Sequence, residues 1–328
     1  MKRIFAVTLS LLSIFGLSSC SPSPKTLTLI AHDSFVMSDD LITAFEETYK
    51  VDLKIVRAGD AGAMTNKLVL TKDNPLADVV FGIDNTFAPV ATKNNLIDGE
   101  LTPIDFADVS FNYDLEYFKT NNLVAPKSWR ELIKKEYKGL TVIENPNTSS
   151  TGLAFLVSTY AGFPQMTAGE TTPTVNWWLA LRDNNVKVAA SWEDAYYTDF
   201  SGSSGKGKYP IVLSYSSSPA DEVNEDGTAR TKALLEDSFR QTEYVGVLKN
   251  ANNPQGASDL IKFMLSQNFQ SELPGAMYVY PIDKSVALPP RWSVYAPAAT
   301  STIGENLDID TNREKWLADY NRVFDVAP

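Results

Sequence analysis

The chain has one histidine and one cysteine among its 328 residues. Zinc sites draw three or four nitrogen or sulfur ligands, so His32 and Cys20 cannot build one. A lone cysteine also excludes an intrachain disulfide. Serine hydrolysis needs a base held against the nucleophile, and His32 is the only imidazole to serve. The G-x-S-x-G pattern is missing, because "SGSSGKG" at 201–207 has the wrong spacing. That stretch continues into Lys208-Tyr209, where a phosphate loop has Ser or Thr after its lysine, and it precedes a strand, so it reads as a solvated turn. The spaced D-x-D-x-D-G calcium loop is absent too. Basic residues are outnumbered, 29 Lys and Arg against 40 Asp and Glu, for a net charge of −11. Such a balance disfavours nucleic acid and suits a cationic partner.

What is present begins with residues 1–19. Lys2 and Arg3 precede an apolar stretch from Ile4 to Leu17 and then small residues, the order of an export signal. The ending Leu17-Ser18-Ser19-Cys20 resembles a bacterial lipobox, which implies lipidation of Cys20 and a short tether over 20–25. No later stretch reaches the roughly 18 apolar residues of a spanning helix, so only the lipid would hold the chain to the outer face of the cytoplasmic membrane.

The remaining length, with 44% hydrophobic residues, suffices for two lobes. Strand-like and helix-like segments alternate: "TLTLIAH", then "MSDDLITAFEETYK" with Ser38 as N-cap, then "VDLKIVRAG". "ADVVFGID" and "YPIVLSYSSS" repeat the buried-strand pattern, and helices are expected over 128–137, 151–163, 174–184, 254–273 and 311–324. This is an α/β pattern, whose ligands bind beyond the carboxyl ends of strands. Those ends carry Asp33, Asp60 and Asp84, while Trp192, Tyr196, Tyr197, Tyr215, Tyr278 and Tyr280 fall in turn-like segments. Carboxylates with aromatic faces suit a flat organic cation. The same aromatics equally suit a core, and Asp60, Ser149 and Ser150 equally suit caps and turns.

Beyond this pattern, "AHDSF", "ADVVFGIDN", "ENPNTSSTGLAF", "ASWEDAYY", "IVLSYSSSPA" and "PGAMYVYPID" follow one another between about residues 27 and 285. In order and approximate spacing the set resembles the thiamine-binding substrate-binding proteins of ABC importers. The resemblance implies a two-lobed type II periplasmic-binding fold with a hinge: lobe one from 26–108, lobe two from 109–246, and lobe one resumed with a C-terminal helix in 247–328. It implies a monomer without catalysis or cofactor that delivers thiamine or its phosphates to a permease and its ATPase.

The family's ligand contacts fall on Asp60, Ala61, Ser149, Ser150, Trp192 and Tyr215 through Ser218, that is Ser216, Ser217 and Ser218, with His32 and Tyr278 as further ring contacts. Asp60 would meet the thiazolium charge or the aminopyrimidine, and Trp192, Tyr215 and Tyr278 would stack. Ser149 and Ser150, at a helix start, would suit an alcohol or a phosphate. Three positions depart from the family: His32 stands where tyrosine is usual, Tyr278 where tryptophan is, and Asp221 where tyrosine is. A binder of Fe³⁺, polyamine or another cation is the alternative, with a secreted hydrolase behind it.

Overall fold

The computed structural model describes residues 25–163, 172–204 and 206–325. The expected export signal, Cys20 and the tether up to Pro24 lie outside these residues, while Lys25, the tether's last position, already opens the first strand.

Ten strands form one sheet among the described residues: β1 Lys25–Ala31, β2 Val51–Arg57, β3 Val79–Asp84, β4 Thr102–Asp114, β5 Thr141–Glu144, β6 Lys187–Ala189, β7 Ile211–Tyr215, β8 Thr231–Ala233, β9 Phe239–Val247 and β10 Tyr280–Pro281. Their order is β2-β1-β3-β9-β4-β7-β5-β6, with β8 and β10 on β4. Two parallel sets, β2-β1-β3 and β7-β5-β6, are therefore joined by the antiparallel pair β9 and β4. At Val109 β4 passes from pairing with β9 to pairing with β7.

The parallel strands take their crossovers through helices, as parallel pairing requires. Ser38 accepts a hydrogen bond from the Leu41 N–H and starts the Asp39–Tyr49 helix, and Lys50 ends it with a left-handed φ of 54°. Leu27, Leu29, Phe45, Phe81, Leu260 and Phe269 form the core beneath the first set. A larger core joins Ile30 and Met64 to Phe111, Phe155, Trp177 and Trp178.

Two expectations change. The 128–137 segment forms two 3₁₀ turns, Trp129–Ile133 and Lys135–Tyr137, because Lys134 takes an extended ψ of 148° between them. The 254–273 stretch divides into helices Pro254–Met264 and Gln267–Ala276, with an extended Ser266 as the second N-cap. The C-terminal helix Ile309–Phe324, assigned with lobe one, packs on helices of the intended lobe two. Trp316 stacks on Tyr160 at 5.0 Å, and Tyr320 meets Trp178 edge-on at 5.3 Å. The first turns of this helix also meet the intended lobe one, where Lys93 pairs with Asp310 at 2.7 Å and Arg313 lies over the Phe87 ring at 4.9 Å.

Candidate functional site

The carboxyl ends of β1, β2, β5, β6 and β7 open on a common cleft. A cavity there is lined by His32, Asp60, Ala61, Ser150, Trp192 and Tyr215, together with Asp33, Glu193 and Glu243. It adjoins a second space that shares Trp192, Tyr215 and Met277 and adds Tyr197, Ser218, Asp221 and Tyr278.

Asp60 occupies the N-cap position of the Ala61–Leu70 helix but makes no side-chain cap bond to it. Its carboxylate instead accepts from the Ser150 N–H at 3.2 Å and the Trp192 N–H at 2.9 Å. The turn after β2 is thereby tied to the segments that follow β5 and β6. Burial raises the Asp60 pKa, and the Trp192 N–H bond pulls partly against that rise. Nearby, the Ala63 N–H donates to the Thr148 carbonyl at 2.9 Å, and Ser34 Oγ donates to Glu193 at 2.7 Å.

Trp192 is held from two sides. Its ring stacks on Tyr196 at 5.0 Å with an 11° tilt, and its indole N–H donates to Ser214 Oγ at 2.9 Å. Tyr215 stands 6.1 Å away at 43°. Such contacts hold the rings in place, and a ring already held costs less ordering on binding. Tyr278 adopts a left-handed φ of 57° and faces Asp221. Burial and then Asp221 push its phenol up to about 12, so it is neutral and able to donate.

His32 follows β1 and is 8% exposed. Its Nε2 lies 3.3 Å from Glu243 Oε1, too poorly aligned for a hydrogen bond. Room for the ring comes from Gly82, at φ 93°, where a Cβ would stand 2.1 Å from His32 Cδ2. Burial opposes the imidazolium, but Glu243, Asp60 and Asp33 outweigh it and raise the pKa above 6.5.

Not all expected contacts reach the cleft. Ser149, Ser216 and Ser217 line neither space. Ser149 caps its helix through the Gly152 N–H, and Ser217 donates to the Tyr278 carbonyl. Ser150 does line the cavity, but Asp60 takes its N–H and Gln241 donates to its Oγ at 2.9 Å. Glu243, Glu193 and Met277 are lining residues that the sequence reading missed. Glu243 had one readable signal, its place on the buried parity of β9 between Gln241 and Val245. Among the described residues no group of three or more His, Cys, Asp or Glu side chains could hold a metal ion.

The sequence profile of the bacterial extracellular solute-binding proteins matches residues 76–299. A thiamine-binding periplasmic protein of Salmonella typhimurium is 28% identical, the alignment covering 90% of this chain and 92% of that one. A thiamine-binding periplasmic protein of Brucella suis is 27% identical over 98% of both. A solved periplasmic thiamin binding protein superposes with a TM-score of 0.78 at 25% identity, over 92% of this chain and 96% of the other.

Proposed function

The chain belongs to the bacterial extracellular solute-binding protein family, and from that premise we propose that it captures thiamine outside the cytoplasm and delivers it to an ABC importer. The observation that carries this reading is the cleft itself, where Asp60, Glu193 and Glu243 stand around the rings of Trp192 and Tyr215. Thiamine offers two flat rings and a permanent positive charge. Stacking and charge pairing both act on such a molecule. The names of the relatives point to the same ligand.

In this reading lobe one, built on 26–108 and resumed after 246, closes on lobe two, 109–246. The change of β4 partner at Val109 supports a boundary there, and the last helix spans both lobes, with Asp310 on Lys93 and Tyr320 on Trp178. Asp60, Ser150 and Trp192 join across the cleft, and Trp192, Tyr215 and Tyr278 cover the rings. Unphosphorylated thiamine is preferred, because the Ser150 N–H that would greet a phosphate already serves Asp60 and further carboxylates surround it. Cys20 carries a lipid that keeps the monomer at the membrane.

Calorimetry on the mature protein tests the ligand. Thiamine is expected to bind with a Kd between about 1 nM and about 1 μM, with tryptophan fluorescence quenched, and thiamine monophosphate more weakly. Absence of any thiamine heat or quenching defeats the reading. Fractionation tests the anchor: Cys20→Ala is expected to move the protein from the membrane to the soluble fraction.

A further inference from the structure

Beneath the cleft, three acidic side chains stand in one row across neighbouring strands. Glu243 on β9 is in register with Asp84 on β3 and with Asp105 on β4. All three are buried, and only Glu243 lines the cavity. Asp84 accepts from Thr86 Oγ1 and from the Phe87 N–H. Asp105 has no donor on either oxygen. Carboxylates this close cannot all carry charge. Burial, and then Glu243, raise the Asp105 pKa well above the carboxylate range, and burial brings Asp84 to about 7. Asp105 and Glu243 therefore share a proton rather than both carrying charge, and Glu243 is the member of the row through which that shared charge reaches the cavity wall.

That charge has one cationic neighbour among the described ion pairs, His32 Nε2 at 3.3 Å. The nitrogen is buried, lacks a hydrogen-bond partner, and belongs to a residue that itself lines the cavity. We propose that Glu243 and His32 form an exchange site for a single positive charge, held by the imidazole proton in the free protein and by the ligand's permanent cation in the complex. On binding, the imidazolium N–H bond breaks, the proton passes to solvent, and neutral His32 remains beside the ligand. The inference rests on the thiamine reading for the identity of the cation.

The surroundings of His32 support the exchange. Glu243 faces it from β9, Asp60 from the turn after β2, and Asp33 from its own segment. The Phe81 ring, 5.7 Å away on β3, carries no charge. Tyr215 on β7 is held neutral, its pKa raised by burial and then by Glu243. The charges that act on the ring are thus negative, while the Arg57 guanidinium is occupied by the Asp33 and Phe35 carbonyls, so the site attracts a proton or a cation but repels both together. Affinity for a permanent cation then falls as pH drops below the raised His32 pKa, by at most about tenfold per pH unit for one exchanged proton. Glu243 becomes the group that selects a charged ligand over a neutral one of the same shape.

Three measurements test this, and the second needs no variant. The single imidazole gives one histidine ring signal by NMR, whose titration midpoint in the ligand-free protein is expected above 6.5 and lower in Glu243→Gln. Calorimetry of the wild type with thiamine near pH 6, in buffers of different ionisation enthalpy, is expected to show a proton released. In Glu243→Gln, thiamine affinity is expected to fall by about tenfold or more, while a neutral analogue with carbon in place of the quaternary nitrogen binds as in wild type. An unshifted imidazole midpoint, thiamine binding without proton release, or equal losses for both ligands each overturn the exchange site. A wild type that ignores thiamine sinks the proposed function instead, and the imidazole titration then still decides the pair.

Discussion

Asp60 shows how a single side chain acquires a task that local sequence cannot announce. Its position after β2 was legible, as was its place among the cleft residues. Its hydrogen-bond donors were not, because the Ser150 and Trp192 amides lie 90 and 132 residues away. An amide in its place loses the charge and offers one acceptor where two are used. Asp60→Asn is therefore expected to weaken thiamine binding by about 10- to 100-fold, the span of roughly 1.5–3 kcal/mol for bonds to a charged group, with the far-UV circular dichroism unchanged. Calorimetry showing wild-type affinity would mean that these bonds do not favour the bound form. His32 was legible as a residue at the end of the first strand, but its partner Glu243 comes from β9 and its space from Gly82, neither of which a motif marks. At Gly82 both a φ of 93° and a 2.1 Å approach oppose a Cβ. Gly82→Ala is expected to cost about 1–3 kcal/mol, read as a lower denaturation midpoint, and to displace the imidazole from Glu243.

Amphipathic helices and parallel strands were readable because each presents a periodic face to one core, as in Asp39–Tyr49 with Leu41 and Phe45 buried. The central strands were not. β4 is buried almost along its whole length and carries Asp105, Asp108, Ser110 and Asn112 inside, so it shows neither alternation nor a clean apolar run. The break after Met264 was hidden for another reason: Ser266 restarts a helix whose polar face continues from the first. Element packing also supplies a test of closure. The first turn of the Ala61–Leu70 helix meets the loop before Ser149, where a Cβ on Gly62 would lie 2.5 Å from the Thr148 carbonyl oxygen. That oxygen is backbone and cannot swing aside. Gly62→Ala is expected to wedge the two segments apart and to weaken thiamine binding by about tenfold, from the lower part of the roughly 1–3 kcal/mol cost of overpacking. Opening the cleft relieves the clash with Thr148 but not the 2.7 Å approach to the buried Phe87 ring, so the thermal midpoint without ligand is expected to fall modestly as well. A large fall in that midpoint with affinity intact would show the contact to be structural.

For the molecule as a whole, the site residues impose a pH dependence on stability that runs against common expectation for carboxylates. Burial raises Asp60, Asp105 and Glu144 above the ordinary carboxylate range and Asp84 to about 7. Between the unfolded value near 4 and these raised values the native protein holds more protons than the unfolded chain, so stability falls as pH rises. His32 acts in the same sense: its raised pKa contributes stability that is complete below about 6.5 and is lost as pH climbs through the folded value. The net charge of −11 adds repulsion in the same direction. Below about pH 4 the order reverses, because exposed Asp226, Asp283 and Asp308 have lowered pKa values through their hydroxyl and backbone partners and lose those bonds on protonation. The ligand-free protein is thus expected to melt at a higher temperature at pH 5.5 than at pH 8. A bound cation relieves the charge crowding where it is worst, so saturating thiamine should raise the melting temperature more at pH 8 than at pH 5.5. Differential scanning calorimetry at both pH values, with and without thiamine, reads the two slopes together. A ligand-free midpoint that rises toward pH 8 would mean that the buried carboxyls are ionised in the native state and compensated by groups other than those named.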